Sequence, residues 1–457
     1  MDKIMQQMNW SSLLCQNKIL PSSVRVNDDN ERSEFERDHN KIIFAPCFRS
    51  LQNKTQLFPA PHNDFIHNRL THSLEVAEVG KSLGSLVAKR IISSNVEKDL
   101  AHDFAKNAAD IISAACLLHD VGNPPFGHSG EDAISSYFRD NSAYLSKKLP
   151  AGVINQLAHF DGNAQTLRII SNSNGLNLTL ATVATVIKYP TMYDKNSFYG
   201  SKHSVFNSEL PLLYQAFDGC GIIKSVTHPD VFVRHPLVFL MEAADDICYR
   251  LLDLEDAHKI GVVSYTEAER LLLQIINSKR SDLGFIQDSL AFLSTPDKFA
   301  RLRSYVINIL INEVVNKFIE YYNDIMSGDY TRLIVDGKLY GLVDLLINEQ
   351  SELSDALHEI YKYVKQNAYA YRPVIEIELA GYEILGFLLE QFVPAAIDGS
   401  SKRFDKLMQL LPEGVLQYGL DPSLRVMVII DYLSGMTDKF AYSLYRKLKG
   451  IDFPNVG

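Results

Sequence analysis

The chain has 457 residues, with 45 Lys+Arg against 55 Asp+Glu and a formal net charge of −10. Hydrophobic residues make up 46% and charged residues 22%, the composition of a folded globular protein, which excludes a wholly disordered or fibrous chain. The acidic balance excludes a generally basic nucleic-acid coat but leaves room for a local basic pocket that holds an anion. The length allows about three domain-sized units or one large helical domain. The five cysteines form no CxxC pair. Cys116 and Cys248 sit in apolar helical patterns and read as buried free thiols, which suits a reducing cytoplasm. No apolar run reaches the roughly 18 residues that span a bilayer. MDKIMQQMNWSSLL lacks a basic start followed by an apolar stretch, so no secretory leader is expected.

In chain order, residues 1–40 read as a polar arm ending in the start of a helix (VNDDNERSEFERDHNK). Residues 41–68 read as a loop, because Pro59 and Pro61 break helices. Residues 70–92 carry Leu70, Leu74, Ala77, Leu83 and Val87 in a helical stripe. Residues 103–119 are apolar nearly all round, as a central helix should be. Residues 189–232, rich in Tyr, Phe, Ser, Gly and Pro, read as irregular. Helices are expected again over 235–256, 264–278, 300–325, 373–394 and 422–434. No run of alternating β-branched residues is seen to close on an Asn-Gly or Asp-Gly turn. The class is all-α: an arm over 1–40, a core over 41–260, and a helical C-terminal region over 261–457 that completes one large domain.

Several residues could carry chemistry. His119-Asp120 closes the most apolar helix, where an unpaired charge is costly. A divalent ion would satisfy imidazole and carboxylate together; a hydrogen-bonded helix terminus is the plain alternative. His72 faces the core side of its helix. Asp245, Tyr249 and Asp253 recur at i, i+4, i+8 along one side of the 235–256 helix. Buried acids on such a face call for cations, whereas Glu255 and Asp256 read as a solvated face. Ser129 followed by Asp132 reads as an N-cap with acids in the first turn.

A lone His, a His-Asp pair and a distant Asp on three helices resemble the HD superfamily of metal-dependent phosphohydrolases. The surrounding words are more specific. FRSLQNKTQLFP (48–59), RLTHSLEV (69–76), LLHDVGNPPFGHSGE (117–131), FDGNAQTLR (160–168), EAADDICY (242–249) and DYLSGMTD (431–438) resemble the deoxyguanosine-triphosphate triphosphohydrolase family. The resemblance implies an HD-type helical core and four metal ligands: His72, His119, Asp120 and Asp245. It makes His128 the residue of the phosphate chemistry and Glu131 its partner. It assigns Arg69, Asn163, Lys188, Tyr189 and Lys202 to the phosphates, and Gln56, Tyr249 and Asp253 to the sugar. The segment Tyr369, Tyr371, Arg372 and Glu376–Tyr382 corresponds to the base side without residue-level matches. Two departures stand out: Gly162 occupies a position where many relatives carry His, and Ser50 replaces an Arg, which implies a weaker anion contact.

The implied activity is hydrolysis of dGTP or another dNTP to the deoxynucleoside and inorganic triphosphate. The implied cofactor is one divalent ion, Mg²⁺ or Mn²⁺ first, with Fe, Ni or Zn as further candidates. The family also implies a homo-oligomer, tetramer or hexamer, and a dNTP activator. The rival readings are another HD nucleotide phosphohydrolase, and an HD scaffold that senses dNTPs or binds single-stranded nucleic acid through clusters such as Lys279-Arg280 and Arg446-Lys447.

Overall fold

The computed structural model describes residues 7–21, 32–58, 65–94, 100, 102–173, 175–194, 197–226, 228–229, 231–280, 283–398, 401–412 and 421–452. Pro59 and Pro61 lie outside them. The regular structure of the described residues is almost entirely helical, as expected.

The expected helices form with shifted ends. The helix Arg69–Ser93 starts at a capping box, in which Asn68 accepts from the Thr71 N–H and Thr71 from the Asn68 N–H. The all-round apolar segment is the helix Phe104–Leu118, with His119 as its C-cap. The third long helix is Pro236–Lys259, opened by Pro236 at a position whose missing N–H costs nothing. The 300–325 segment is two helices, Thr295–Glu320 and Tyr322–Ser327; Ser294 caps the first five residues earlier than expected. The last long helix, Arg372–Asp398, runs straight through Pro394.

Four expectations fail. Residues 41–53 are not loop: the helix Glu34–Phe44 is followed by Pro46–Arg49 and a 3₁₀ turn, Ser50–Asn53. The irregular 189–232 stretch contains the helix Leu210–Gly219, whose Leu212, Leu213, Ala216 and Phe217 are buried at helical spacing. Ser129 is not an N-cap: the helix His128–Asp140 begins one residue earlier, behind Gly127 at φ 58°. An Asp-Gly turn does exist. Ile334–Val335 pairs antiparallel with Lys338–Leu339 across Asp336-Gly337, both at positive φ (49° and 75°), as a tight hairpin requires. Strands two residues long leave the all-α class intact.

Close approach of three helices sets the position of the site. A side chain at Gly80 would meet Cys116 Sγ at 2.6 Å and Ile112 at 2.8 Å, with Ala244 at 3.6 Å. A side chain at Gly84 would meet Ile112 at 2.7 Å. The 69–93 helix therefore lies nearly backbone-to-side-chain against the 104–118 helix, with the 236–259 helix beside both. Glycine costs about 0.5–1 kcal/mol in a helix interior, and here the close packing offsets it.

Two buried apolar clusters result. The larger joins these three helices to those of residues 265–364 and to Trp10 and Leu13 near the start of the chain. Trp10 packs edge-on to Phe104 and donates its indole N–H to the Tyr322 hydroxyl. The smaller cluster joins the helices His128–Asp140, Ala151–Leu157, Pro422–Ser434, Asp438–Leu448 and the second half of Arg372–Asp398. The helix Gly162–Asn172 serves both, with Ala164 in the smaller cluster and Leu167 and Ile170 in the larger.

Candidate active site and metal centre

A cleft of about 570 Å³ opens at the seam between the two clusters. Of the residues expected in the site, all but His72 line it, and His72 is buried directly beneath.

At the cleft floor, His72, His119 and Asp245 hold their ligand atoms within 4.8 Å of one another. His72 Nε2 is 3.1 Å from Asp245 Oδ1. His119 Nε2 is 3.5 Å from the same oxygen and 3.6 Å from Asp120 Oδ1. His119 Nδ1 lies 2.6 Å from the Cys116 carbonyl, so it carries the proton. That bond leaves the Nε2 lone pair, buried and otherwise unpartnered, aimed at the two carboxylates. Burial disfavours charge here, yet Asp120 and Asp245 outweigh it and raise His119 to about 9. Burial likewise opposes ionisation of Asp120, but Arg69 and His119 hold it down at about 2. Asp245 is held well below the usual carboxylate range by His119 and His72 against its own burial. Both carboxylates are thus held ionised, and the raised His119 reflects the negative charge they place at the site. A divalent cation fits this donor set, and the negative end of the 104–118 helix dipole supports it.

Arg69 leads from this floor to the cleft wall. Its Nη1 donates to Asp120 Oδ2 at 2.6 Å, while Asn123 Nδ2 donates to Asp120 Oδ1 at 2.6 Å. Asp120 is thus oriented from both sides. Lys188 Nζ stands 3.3 Å from Glu242 Oε1, and Arg234 Nη1 holds Glu242 Oε2 at 2.7 Å. Lys202 is half exposed and reaches Asp161 Oδ2 at 3.7 Å. Tyr189 lies under the Lys188 and Arg234 cations. Asn163 Nδ2 donates to Asp161 Oδ1 at 2.7 Å. Three cations from separate segments therefore face one wall, as a polyanion requires.

His128 stands on the rim with its ring open to solvent. Its Nδ1 lies 3.1 Å from Glu131 Oε2, while Glu131 Oε1 accepts the Gly162 N–H at 2.8 Å. The Glu131 bond raises His128 above its ordinary value. A side chain at Gly162 would have to displace the Asn123 amide, whose Oδ1 stands 2.1 Å from an added Cβ, and crowd Glu131 Oε1 at 2.9 Å. Ser50 offers no anion contact of its own. Its hydroxyl donates to the Cys47 carbonyl at 2.7 Å, and the residue lies outside the cleft lining.

At the far end, the Tyr369 hydroxyl donates to Asp253 Oδ2 at 2.6 Å, beside Tyr249 and Gln56. Burial raises Asp253 to about 7, although the Tyr369 bond pulls the other way. Gln56 Oε1 is buried without a partner in the protein. Val374 and Ile377 complete an apolar end, whereas Tyr371 and Arg372 point away: Tyr371 packs on Phe58 and Arg372 pairs with Glu376.

Asn123 and Glu242 were not placed in the site by sequence reasoning, and Tyr369 was given only to the base-side segment, whereas its hydroxyl bonds the expected sugar residue Asp253. Asn123 and Glu242 stood three residues from Asp120 and Asp245, a spacing that puts them on the same side. Tyr369 sits on the π-turn Lys365–Tyr369, which no periodicity announces. Glu255 and Asp256 are not a solvated face. Asp256 is buried and bonds His67 Nδ1 at 2.8 Å, and Glu255 pairs with Arg303 and Lys259. Cys116 and Cys248 are free and buried, as expected.

Comparison with known proteins agrees with this geometry. The HD domain family matches residues 69–180, which carry His72, His119, Asp120, His128 and Glu131. A deoxyguanosinetriphosphate triphosphohydrolase-like protein of Synechocystis is 34% identical over 97% of this chain and 100% of its own length. One from Listeria monocytogenes is 33% identical with the same coverage. A Salmonella typhimurium protein named deoxyguanosinetriphosphate triphosphohydrolase is 29% identical over 92% of this chain and 94% of its own. Among the described residues no helix is long and apolar enough to cross a membrane. With such identity over nearly the whole of both chains, the protein belongs to the deoxyguanosinetriphosphate triphosphohydrolase-like family of HD-domain proteins.

Proposed function

We propose that the chain hydrolyses a deoxynucleoside triphosphate, dGTP first among them, to the deoxynucleoside and inorganic triphosphate. The observation that carries this reading is the order of groups along one cleft. A cation-binding donor set lies at the floor, three basic side chains on the wall, and a sugar-sized polar corner at the end. His72, His119, Asp120 and Asp245 would hold a divalent cation, whose chemistry when bound would be Lewis acidity and activation of water.

The protein's own groups do the rest. Arg69, Lys188 and Lys202 neutralise triphosphate charge, with Asn163 and Tyr189 beside them. The bond that breaks joins the α-phosphorus to the sugar 5′-oxygen, and water attacks the phosphorus. His128 would give a proton to the departing 5′-oxygen, with Glu131 orienting its ring and raising its affinity for that proton. Gln56 and Asp253 offer an acceptor-rich corner for the 3′-hydroxyl, and Tyr249 closes the space a 2′-hydroxyl would need. A site that hydrogen-bonds one hydroxyl rejects the analogue lacking it strongly.

The test is a panel of the four dNTPs and four ribonucleoside triphosphates, each with Mg²⁺ and with Mn²⁺, assayed for released triphosphate. Turnover of dNTPs alone supports the reading. Preference for ribonucleotides or monophosphates moves the protein to another HD nucleotide phosphohydrolase. Binding of dNTPs without turnover in either metal establishes a sensor.

A further inference from the structure

The loop between Asp120 and His128 is strained. Phe126 has φ 64°, one of only two non-glycine residues at positive φ among the described residues, and Gly127 follows at 58°. An aromatic residue in that conformation persists only where its surroundings enforce it. Gly127, at φ 58° and ψ −127°, sits where a side chain is strained whatever the space, and Arg69 Nη2 would stand 2.8 Å from an added Cβ. The Phe126 side chain lies against the backbone of Gly381, where an added Cβ would approach it to 2.4 Å.

Two polar groups outside the catalytic set grip this loop. Lys54 is fully buried and donates from Nζ to the Asn123 carbonyl at 2.5 Å and the Ser434 carbonyl at 2.8 Å. Asp438 accepts the Phe126 N–H on Oδ1 at 2.9 Å and the Thr55 N–H on Oδ2 at 2.8 Å. One anchor comes from the segment before the Arg69 helix and the other from the helix that ends the smaller cluster. Together they tie both ends of the loop across the seam. Burial and the Arg69 charge pull Lys54 down to about 7, and both forms of the amine carry the two N–H donors these bonds need. Lys54 is fully buried and Asp438 half-buried, and what each supplies at the seam is hydrogen bonds to backbone groups of this loop and its neighbours.

We infer that Lys54 and Asp438 are positioning residues that clamp the 123–127 turn and thereby fix His128 above the ligand cluster. The inference rests on the proposed role of His128. Neither residue lines the cleft, so neither touches substrate.

The test compares the full-length protein with Asp438→Asn, Asp438→Ala and Lys54→Met. Clamp loss is expected to lower kcat about 10- to 100-fold while KM and Mn²⁺ affinity stay within about threefold, because misplacing a reacting group by about 1 Å costs that much. Asp438→Asn, which keeps one acceptor, should lose less than Asp438→Ala. The His128 resonance, followed by NMR, should titrate lower in the variants as the ring leaves Glu131. Unchanged kcat in a folded variant overturns the inference, as does loss of kcat only in step with Mn²⁺ affinity and melting temperature. If wild-type protein releases no triphosphate, the proposed function has failed, and the His128 titration still decides the clamp. If no variant folds, wild-type amide exchange decides it: Thr55 and Phe126 must be protected, and exchange at open-loop rates ends the idea.

Discussion

At the level of single residues, the acids of the 236–259 helix separate by environment. Asp245 is held ionised by two imidazoles, while Asp253, on the same side, is pushed up to about 7 by burial. Asp245→Ala is expected to abolish turnover and weaken Mn²⁺ binding by about 10-fold or more, leaving the fold intact; titration calorimetry reads the second effect. Asp253 has the opposite sign. Its folded pKa lies above its unfolded value of about 3.9, so it binds its proton more tightly in the fold. The stability it contributes is full below about pH 4 and is lost as pH rises toward 7. Asp253→Asn should therefore gain on wild type in urea midpoint between those limits and then stay level, while KM for the nucleotide rises. A difference independent of pH would show that Asp253 is not held protonated. For His128, Glu131→Gln should move the alkaline limb of kcat to lower pH, because the bond that raises the imidazole is gone. An unmoved limb would assign that limb to another group.

The ligands meet because three helices carry small residues where they cross. Gly80 and Gly84 face Cys116, Ile112 and Ala244, and His72 lies two turns before Gly80 on the same helix. Gly80→Val is expected to cost about 1–3 kcal/mol by overpacking and to weaken Mn²⁺ binding at His72, although it touches no ligand. Full metal affinity in that variant would show that the crossing does not set the ligand geometry. Helices with long apolar stripes were legible in the sequence, as was the one-sided array Asp245, Tyr249, Asp253. Turn chemistry was less so. The start of the His128 helix depends on a left-handed pair, Phe126-Gly127, and Phe126 gives no sign of it in sequence. The Asp336-Gly337 hairpin was passed over because its strands are too short to alternate. Asp256 was misjudged because its partner, His67, lies almost two hundred residues away in the chain.

Across the whole molecule, the cleft is a seam between two apolar clusters, and polar ties close the seam. Arg168, on the helix that serves both, grips Asp431 with two bonds of 2.7 and 2.8 Å and reaches Glu209 at 3.2 Å. Lys54 and Asp438 tie the same seam beside the 123–127 loop. The motif words of the sequence located each patch of the site, but periodicity could not say that residues 431–438 lie behind the loop before His128. That fact belongs to packing. An Arg168→Met variant leaves buried Glu209 with only the Ser208 hydroxyl and half-buried Asp431 with only the Gln165 amide, a loss of about 3 kcal/mol, and it should appear in denaturant unfolding as an earlier midpoint. The central claim is which bond the cleft breaks. Hydrolysis of dGTP in ¹⁸O-water, with products resolved by mass spectrometry, tests it directly. Deoxyguanosine with inorganic triphosphate bearing the label is the predicted result; dGMP with pyrophosphate, or dGDP with orthophosphate, would contradict it.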